Sequence, residues 1–272
     1  MTTTPVQPSV VVHADVGSLA PRPAASPEPS SSDRPNAALP APPAPHPPPR
    51  PLLTRTGLLL WLIGLAVCMG WDRAAWLAVS VAGTPRLAWI ESTQPWSSLA
   101  KIPYLFGQMY VWTALALLLV VRDWTRPDTA RVLHALRRAV FVFLVPASAG
   151  LAAELLKVIV RRYRPEVGDG FYRFKPLDAG LFNGDNLGMA SSHAAVAVAA
   201  ALAAGLLYPR ARPWLLLLAA LCVFSRVALG AHYLSDVYVG AALGLLAFRA
   251  VYAWDRHNNR GIPIDAPPLG RA

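Results

Sequence analysis

Arg226, His232 and Asp236 fall within eleven residues of the stretch from Ser225 to Asp236, and the chain on either side is strongly apolar. Each of these side chains carries a solvation cost in such a setting unless it has a partner or a task. If a helix begins near His232, then His232 and Asp236 stand four apart on one of its faces and within reach of each other. A carboxylate so placed can orient an imidazole and stabilise its cation. Lys157, Arg164, Ser191, Ser192 and His193 supply what such a histidine needs. Ser191 and Ser192 open an apolar run, where first-turn hydroxyls and backbone N–H groups favour an anion. Arginine adds a planar fork of donors for phosphate oxygens, and lysine a compact point charge. Such groups can carry out phosphoryl transfer: His232 can attack phosphorus and His193 can protonate the leaving oxygen. The cations Lys157, Arg164 and Arg226 stabilise the phosphoryl oxygens without a metal ion, so no cofactor is expected.

These groups must be brought together by the elements that carry them. The chain has 272 residues, 54% of them hydrophobic and 15% charged. That balance is too apolar for a soluble domain of this size and implies a polytopic membrane protein. The net charge of +10 does not lead to nucleic acid, because the basic residues cluster at the ends of apolar runs, not along a soluble face. Cys68 and Cys222 each sit inside an apolar run and indicate neither a disulfide framework nor a zinc site. Residues 1–51 hold fifteen of the 27 prolines and show no apolar periodicity. They are expected to be a disordered Pro/Ala/Ser-rich tail.

The expected fold class is all-α, a helix bundle of about six transmembrane spans over residues 52–254, with a polar C-terminal tail over 255–272. The spans are placed at Thr56 to Trp71, Ile102 to Val121, Ala139 to Val160, Ser191 to Tyr208, Trp214 to Leu229 and His232 to Tyr252. Asp72 to Ala100, with its tryptophans and charges, is expected to be an interfacial loop or a helix at headgroup level. Six spans put both termini on one side, and the arginines of the flanks and of the second and fourth links place that side in the cytoplasm. The third link then lies outside, although it contains Arg161, Arg162, Arg164, Arg173 and Lys175. A site for an anionic ligand accounts for that exception. Lys157 to Arg164, His193, and Arg226 to Asp236 all fall at outer span ends, where a bundle can join them in one pocket. Glu154, one turn before Lys157, is expected to be its ion-pair partner, and Arg161 and Arg162 to be interfacial or loop charges.

Three motifs carry a resemblance. Lys157 is followed after six residues by Arg164-Pro165, then comes Ala190-Ser191-Ser192-His193, then Ser225-Arg226 followed after five residues by His232 and after three more by Asp236. The pattern resembles the type 2 phosphatidic acid phosphatase (PAP2) superfamily in its membrane-bound lipid phosphatase branch. The first and third motifs match completely. In the middle motif Ala190 replaces the usual proline and Ser192 the usual glycine. The resemblance implies phosphate binding by Lys157, Arg164, Ser191 and Arg226, acid catalysis by His193, a phosphohistidine at His232, and orientation of His232 by Asp236; Ser192 either narrows the pocket or adds a hydroxyl to it. It implies metal-independent removal of phosphate from a lipid phosphate or diphosphate at the non-cytoplasmic face. Transfer of the phosphoryl group to an acceptor other than water, and lipid-phosphate binding or transport without catalysis, are the other readings. The expected partner is a lipid phosphate substrate and not nucleic acid, and the oligomeric state is left open.

Overall fold

The computed structural model describes residues 54–81, 84–87, 96–124, 129–180, 184–259 and Ile264. The expected disordered tail, residues 1–51, lies outside them, as does nearly all of the polar tail beyond residue 259. Seven α-helices make up the described chain: α1 Arg55–Val79, α2 Trp96–Phe106, α3 Met109–Trp124, α4 Thr129–Val160, α5 Ser192–Leu207, α6 Arg212–Ala228 and α7 Leu234–Asn258. A two-stranded antiparallel ribbon, β1 Ser80–Val81 and β2 Thr84–Pro85, follows α1 with Ser80 opposite Pro85. Thr54 caps α1, its hydroxyl oxygen accepting from the Gly57 N–H at 3.0 Å.

Helix α5 is the centre of the bundle and packs against α4, α6 and α7. Its sequence explains the position. Ala194, Ala195, Ala197, Ala199, Ala200 and Ala201 are fully buried, and side chains this small let neighbouring backbones approach closely. The partner surface on α7 is a glycine pair one turn apart. A Cβ on Gly240 would collide with the Ser191 carbonyl, and one on Gly244 would lie 2.6 Å from the Ala195 carbonyl. Close contact between α5 and α7 matters for function, because these two helices carry His193 and Asp236 near their N-terminal ends.

Three helices, Arg55–Val79, Val132–Val160 and Leu234–Asn258, are long and apolar enough to cross a membrane by length and composition. Helix α5 is shorter: sixteen residues extend roughly 24 Å at 1.5 Å per residue. Leu59, Leu60, Ile63 and Val67 of α1 are more than half exposed, a face that suits lipid better than water. The six expected spans correspond to α1, α3, α4, α5, α6 and α7, but α4 begins at Thr129, ten residues before the expected start, α7 runs on to Asn258 into the expected polar tail, and two further differences bear on the site. Helix α1 does not stop at Trp71 but continues to Val79, so Asp72 and Trp76 are helical residues and not part of an interfacial loop. Asp72 does not end the helix because its carboxylate is satisfied inside the protein, as described below. The uncharged run from Ile102 to Val121 is two helices instead of one, broken at Gly107 and Gln108. Gly107 packs at the turn where a Cβ would meet the Cys222 sulfur at 2.8 Å and the His193 carbonyl at 3.0 Å.

Candidate active site

The segment after α4 is extended, and its backbone is bonded on both sides. Tyr163 N–H donates to Arg173 C=O at 2.9 Å, Arg164 N–H to Asn186 C=O at 2.8 Å, and Gly188 N–H to Arg162 C=O at 2.7 Å. Successive side chains of an extended segment alternate, so Arg162 and Arg164 leave the same side of the strand, toward the end of the bundle where α5 and α7 begin. Gly188 closes the approach: a Cβ there would sit 2.8 Å from Asp236 Oδ2.

Helix α7 starts at Leu234, two residues later than the pattern implied, so His232 precedes the helix. The contact with Asp236 forms all the same, by a different geometry. Tyr233 is the N-cap and Asp236 the third helical residue, and the Asp236 carboxylate turns back to accept from the Tyr233 N–H at 2.9 Å. This brings Asp236 Oδ2 to 3.4 Å from His232 Nδ1. Both side chains are almost completely buried. Burial pushes the His232 imidazole below its ordinary pKa, the cations Arg226 and Arg164 push the same way, and Asp236 opposes them. The depressed pKa favours the neutral ring, and a proton on Nδ1, the nitrogen nearest Asp236, leaves the lone pair on Nε2.

The second histidine sits in the first turn of α5, whose N-cap is Ser191. The Ser191 N–H donates to the Asp236 carbonyl at 3.0 Å, which locks the start of α5 to the start of α7. The Ser191 hydroxyl is buried and has no hydrogen-bond partner. Lys157 Nζ lies 3.2 Å from the Ser192 hydroxyl and 2.7 Å from Glu154 Oε1. The Glu154–Lys157 ion pair is the one expected. His193 lies within electrostatic reach of Arg226, His232, Lys157 and Arg164, and the Arg226 guanidinium sits 5.4 Å from the Tyr104 ring centroid, which in turn is 4.8 Å from that of His193. All eight residues singled out in the sequence thus meet in one place. What the arrangement offers chemically is an imidazole backed by a carboxylate, a second imidazole within electrostatic reach of it, and several cations with an unbonded hydroxyl around them.

Arg161 and Arg162 do not behave as loop charges. Arg161 donates to the carbonyls of Lys175, Pro176 and Gly180 at 3.0, 2.7 and 3.2 Å, stitching the loop together. Arg162 is buried and donates to Ser235 Oγ at 2.6 Å and to Asp236 Oδ1. Part of the excess of positive charge in this link is therefore used inside the protein. Three residues near the site carry no motif. Gln108 places its amide nitrogen 2.9 Å from His193 Nε2, and Tyr104 covers the ring. Asp72 reaches the third motif from α1, accepting from the Ser235 N–H at 2.8 Å and from the Tyr172 hydroxyl at 2.7 Å. The signals available were a carboxylate sixteen residues after the apolar run opens at Thr56, and a glycine followed by glutamine in an uncharged span.

Fold and site together define a polytopic membrane helix bundle with a buried, anion-receptive site at one end. Residues 138–260 match the PAP2 superfamily, a stretch that takes in most of α4, all of α5 to α7 and all three motifs. A "Lipid A 1-phosphatase" from Rhizobium johnstonii is 32% identical over 122 residues, covering 44% of this chain and 49% of the relative. The chain thus spans about half the length of that relative. Among solved structures, a transmembrane PAP2-type phosphatidylglycerolphosphate phosphatase from Bacillus subtilis shares the fold with a TM-score of 0.51 at 23% identity, over 75% of this chain and 96% of that one.

Proposed function

We propose that the protein is a membrane phosphatase that removes phosphate from a lipid phosphomonoester or diphosphate, independently of metal. His232 Nε2 attacks phosphorus while the bond from phosphorus to the leaving oxygen breaks, and His193 gives that oxygen a proton. Neutral His193 then takes a proton from water, whose oxygen attacks phosphorus. The phosphorus–nitrogen bond breaks and inorganic phosphate leaves. Asp236 holds Nδ1–H throughout, and Lys157, Arg164, Arg226, Ser191 and Ser192 bind the phosphoryl oxygens. The observation that carries this reading is the buried 3.4 Å contact between His232 and Asp236 inside a ring of cations. Placement among apolar helices favours a substrate whose chain stays in the bilayer while its headgroup enters the site. By the arginine distribution in the links, both termini face the cytoplasm and the site opens on the other side.

The test is phosphate release by the purified protein in chelator from a panel that includes phosphatidic acid, a polyprenyl diphosphate and a lipid-linked sugar 1-phosphate. His232→Ala is expected to lower kcat by at least about 10³-fold, because no other group replaces a lost nucleophile. Turnover retained in that variant overturns the assignment.

A further inference from the structure

Behind Asp236 lies a chain of polar groups that none of the motifs includes. Asp236 divides its two oxygens: Oδ2 faces His232 and accepts from the Tyr233 N–H, while Oδ1 takes the Arg162 guanidinium. Arg162 is fixed from several sides. It donates to Ser235 Oγ at 2.6 Å, stands 3.8 Å from Asp72 Oδ2, and lies 4.7 Å and 4.9 Å from the ring centroids of Tyr172 and Tyr233. Asp72 closes the chain, held by the Ser235 N–H and hydroxyl and by the Tyr172 hydroxyl. Arg162, Asp72, Ser235 and Asp236 are each no more than 1% exposed. They come from α1, the α4–α5 link and α7.

A purely structural clasp balances its own charge. Arg137 and Asp255, which join α4 and α7 at the other end of those helices, pair a guanidinium with a carboxylate at 2.7 and 2.6 Å. The network behind Asp236 has two carboxylates and one guanidinium, an excess of one negative charge among buried groups, and it faces the His232 ring, on which Arg226 and Arg164 also act. A buried excess charge is costly unless something completes it, and the imidazole ring of His232 becomes cationic when Nε2 bonds to phosphorus while Nδ1 keeps its proton. We propose that Arg162 and Asp72 are positioning residues for the reaction, holding the Asp236 carboxylate against His232 and supplying the negative charge that the phosphorylated histidine ring completes. The inference rests on the phosphatase reading above.

The test uses the full chain in detergent and phosphate release from the lipid panel, with His232→Ala as control and thermal unfolding measured beside kinetics. Asp72→Asn and Arg162→Lys are expected to lower kcat by about 10- to 100-fold, by analogy with the range found when groups that orient metal-ligating histidines are changed. KM stays within about twofold, because neither residue touches substrate. Tyr172→Phe, which removes one hydrogen bond to Asp72 and no charge, is expected to lower kcat by about two- to fivefold. If Arg162→Lys does not fold, Asp72→Asn and Tyr172→Phe decide, since both leave the Arg162–Asp236 contact in place. Unchanged kcat in both overturns the proposal, and so does a loss of kcat that comes only with a matching rise in KM and fall in unfolding temperature. If the folded wild-type protein releases no phosphate, the functional reading fails and this one falls with it. An active wild type, an inactive His232→Ala and unaltered Asp72→Asn would refute the positioning role alone.

Discussion

The two histidines of the site stand on walls of different construction. His232 is held by Asp236, Asp236 by Arg162 and Tyr233, and Arg162 by Asp72, Ser235 and Tyr233, all of them buried, with the partly exposed Tyr172 ring beside it. The His193 wall is more open. His193 and Ser192 are only partly buried, the Glu154 side chain is 58% exposed, and the residues there bond to one another in positions where a phosphate would be bound. One wall holds its geometry before substrate arrives, and the other has to exchange partners when it does. The difference fits the demands of the two proposed steps. A nucleophile must be aimed, and a chain of hydrogen-bonded side chains in a dry place does that. A group that donates and then accepts a proton must suit two protonation states. Gln108 can: its amide nitrogen donates to an unprotonated His193 Nε2, and the same amide turned by 180° presents an oxygen to Nε2–H.

The largest effect that separates the walls comes from His193→Ala. If His193 protonates the leaving oxygen, its loss lowers kcat on a lipid alkyl phosphate by about 10²- to 10⁴-fold. An aryl phosphate with an acidic phenol as leaving group needs no such proton, and its turnover should fall far less. Equal loss on both substrates would reduce His193 to a binding group and make the open wall as passive as it looks. Next in size is the response to acid. Because burial and two nearby cations depress the His232 pKa, the neutral nucleophile persists below the ordinary histidine value of about 6.5. As pH falls through the depressed value, Nε2 gains a proton and the lone pair is lost. The acid limb of kcat/KM is therefore expected below pH 6.5, with about a tenfold loss for each further unit. A limb above that value would mean that Asp236 dominates over burial.

How much of this was legible in the sequence follows the same division. The motif residues could be read because each type has a limited chemical repertoire in an apolar setting, and all eight meet where the spacing of the spans implied. The central position of α5 could be read less well, since a run of alanines is equally compatible with lipid contact until Gly240 and Gly244 of α7 are seen against it. Arg162 was visible only as one of three arginines, and Arg161 beside it has an unrelated task in the loop. Asp72 was out of reach. It lies 163 residues from its partner Ser235, and a carboxylate after an apolar run looks like the end of a span. Its helical continuation depends on a tertiary partner, which local sequence does not encode. The break at Gly107 and Gln108 was hidden for the same reason, within a run whose hydropathy never falls.

The smallest predicted effect concerns the residue that departs from the family pattern. Lys157 donates to Glu154 at 2.7 Å and lies 3.2 Å from the Ser192 hydroxyl, which the usual glycine could not supply. A substrate phosphate that takes Lys157 as its cation must share it with, or displace, a carboxylate already there. With the Glu154 carboxylate exposed and only Lys157 buried, the pair is worth on the order of 1 kcal/mol, so the competition is modest. Glu154→Gln removes the competing charge and is expected to lower KM by about two- to fivefold with kcat unchanged, the signature of an effect on binding alone. The gain should shrink as salt is added, because the contact is open to solvent. Ser192→Gly, which frees Lys157 from the hydroxyl, should move KM in the same direction by less. A rise in KM in Glu154→Gln would mean that Glu154 aims Lys157 as Arg162 aims Asp236. The open wall would then be organised before substrate binds, and the contrast between the two walls would disappear.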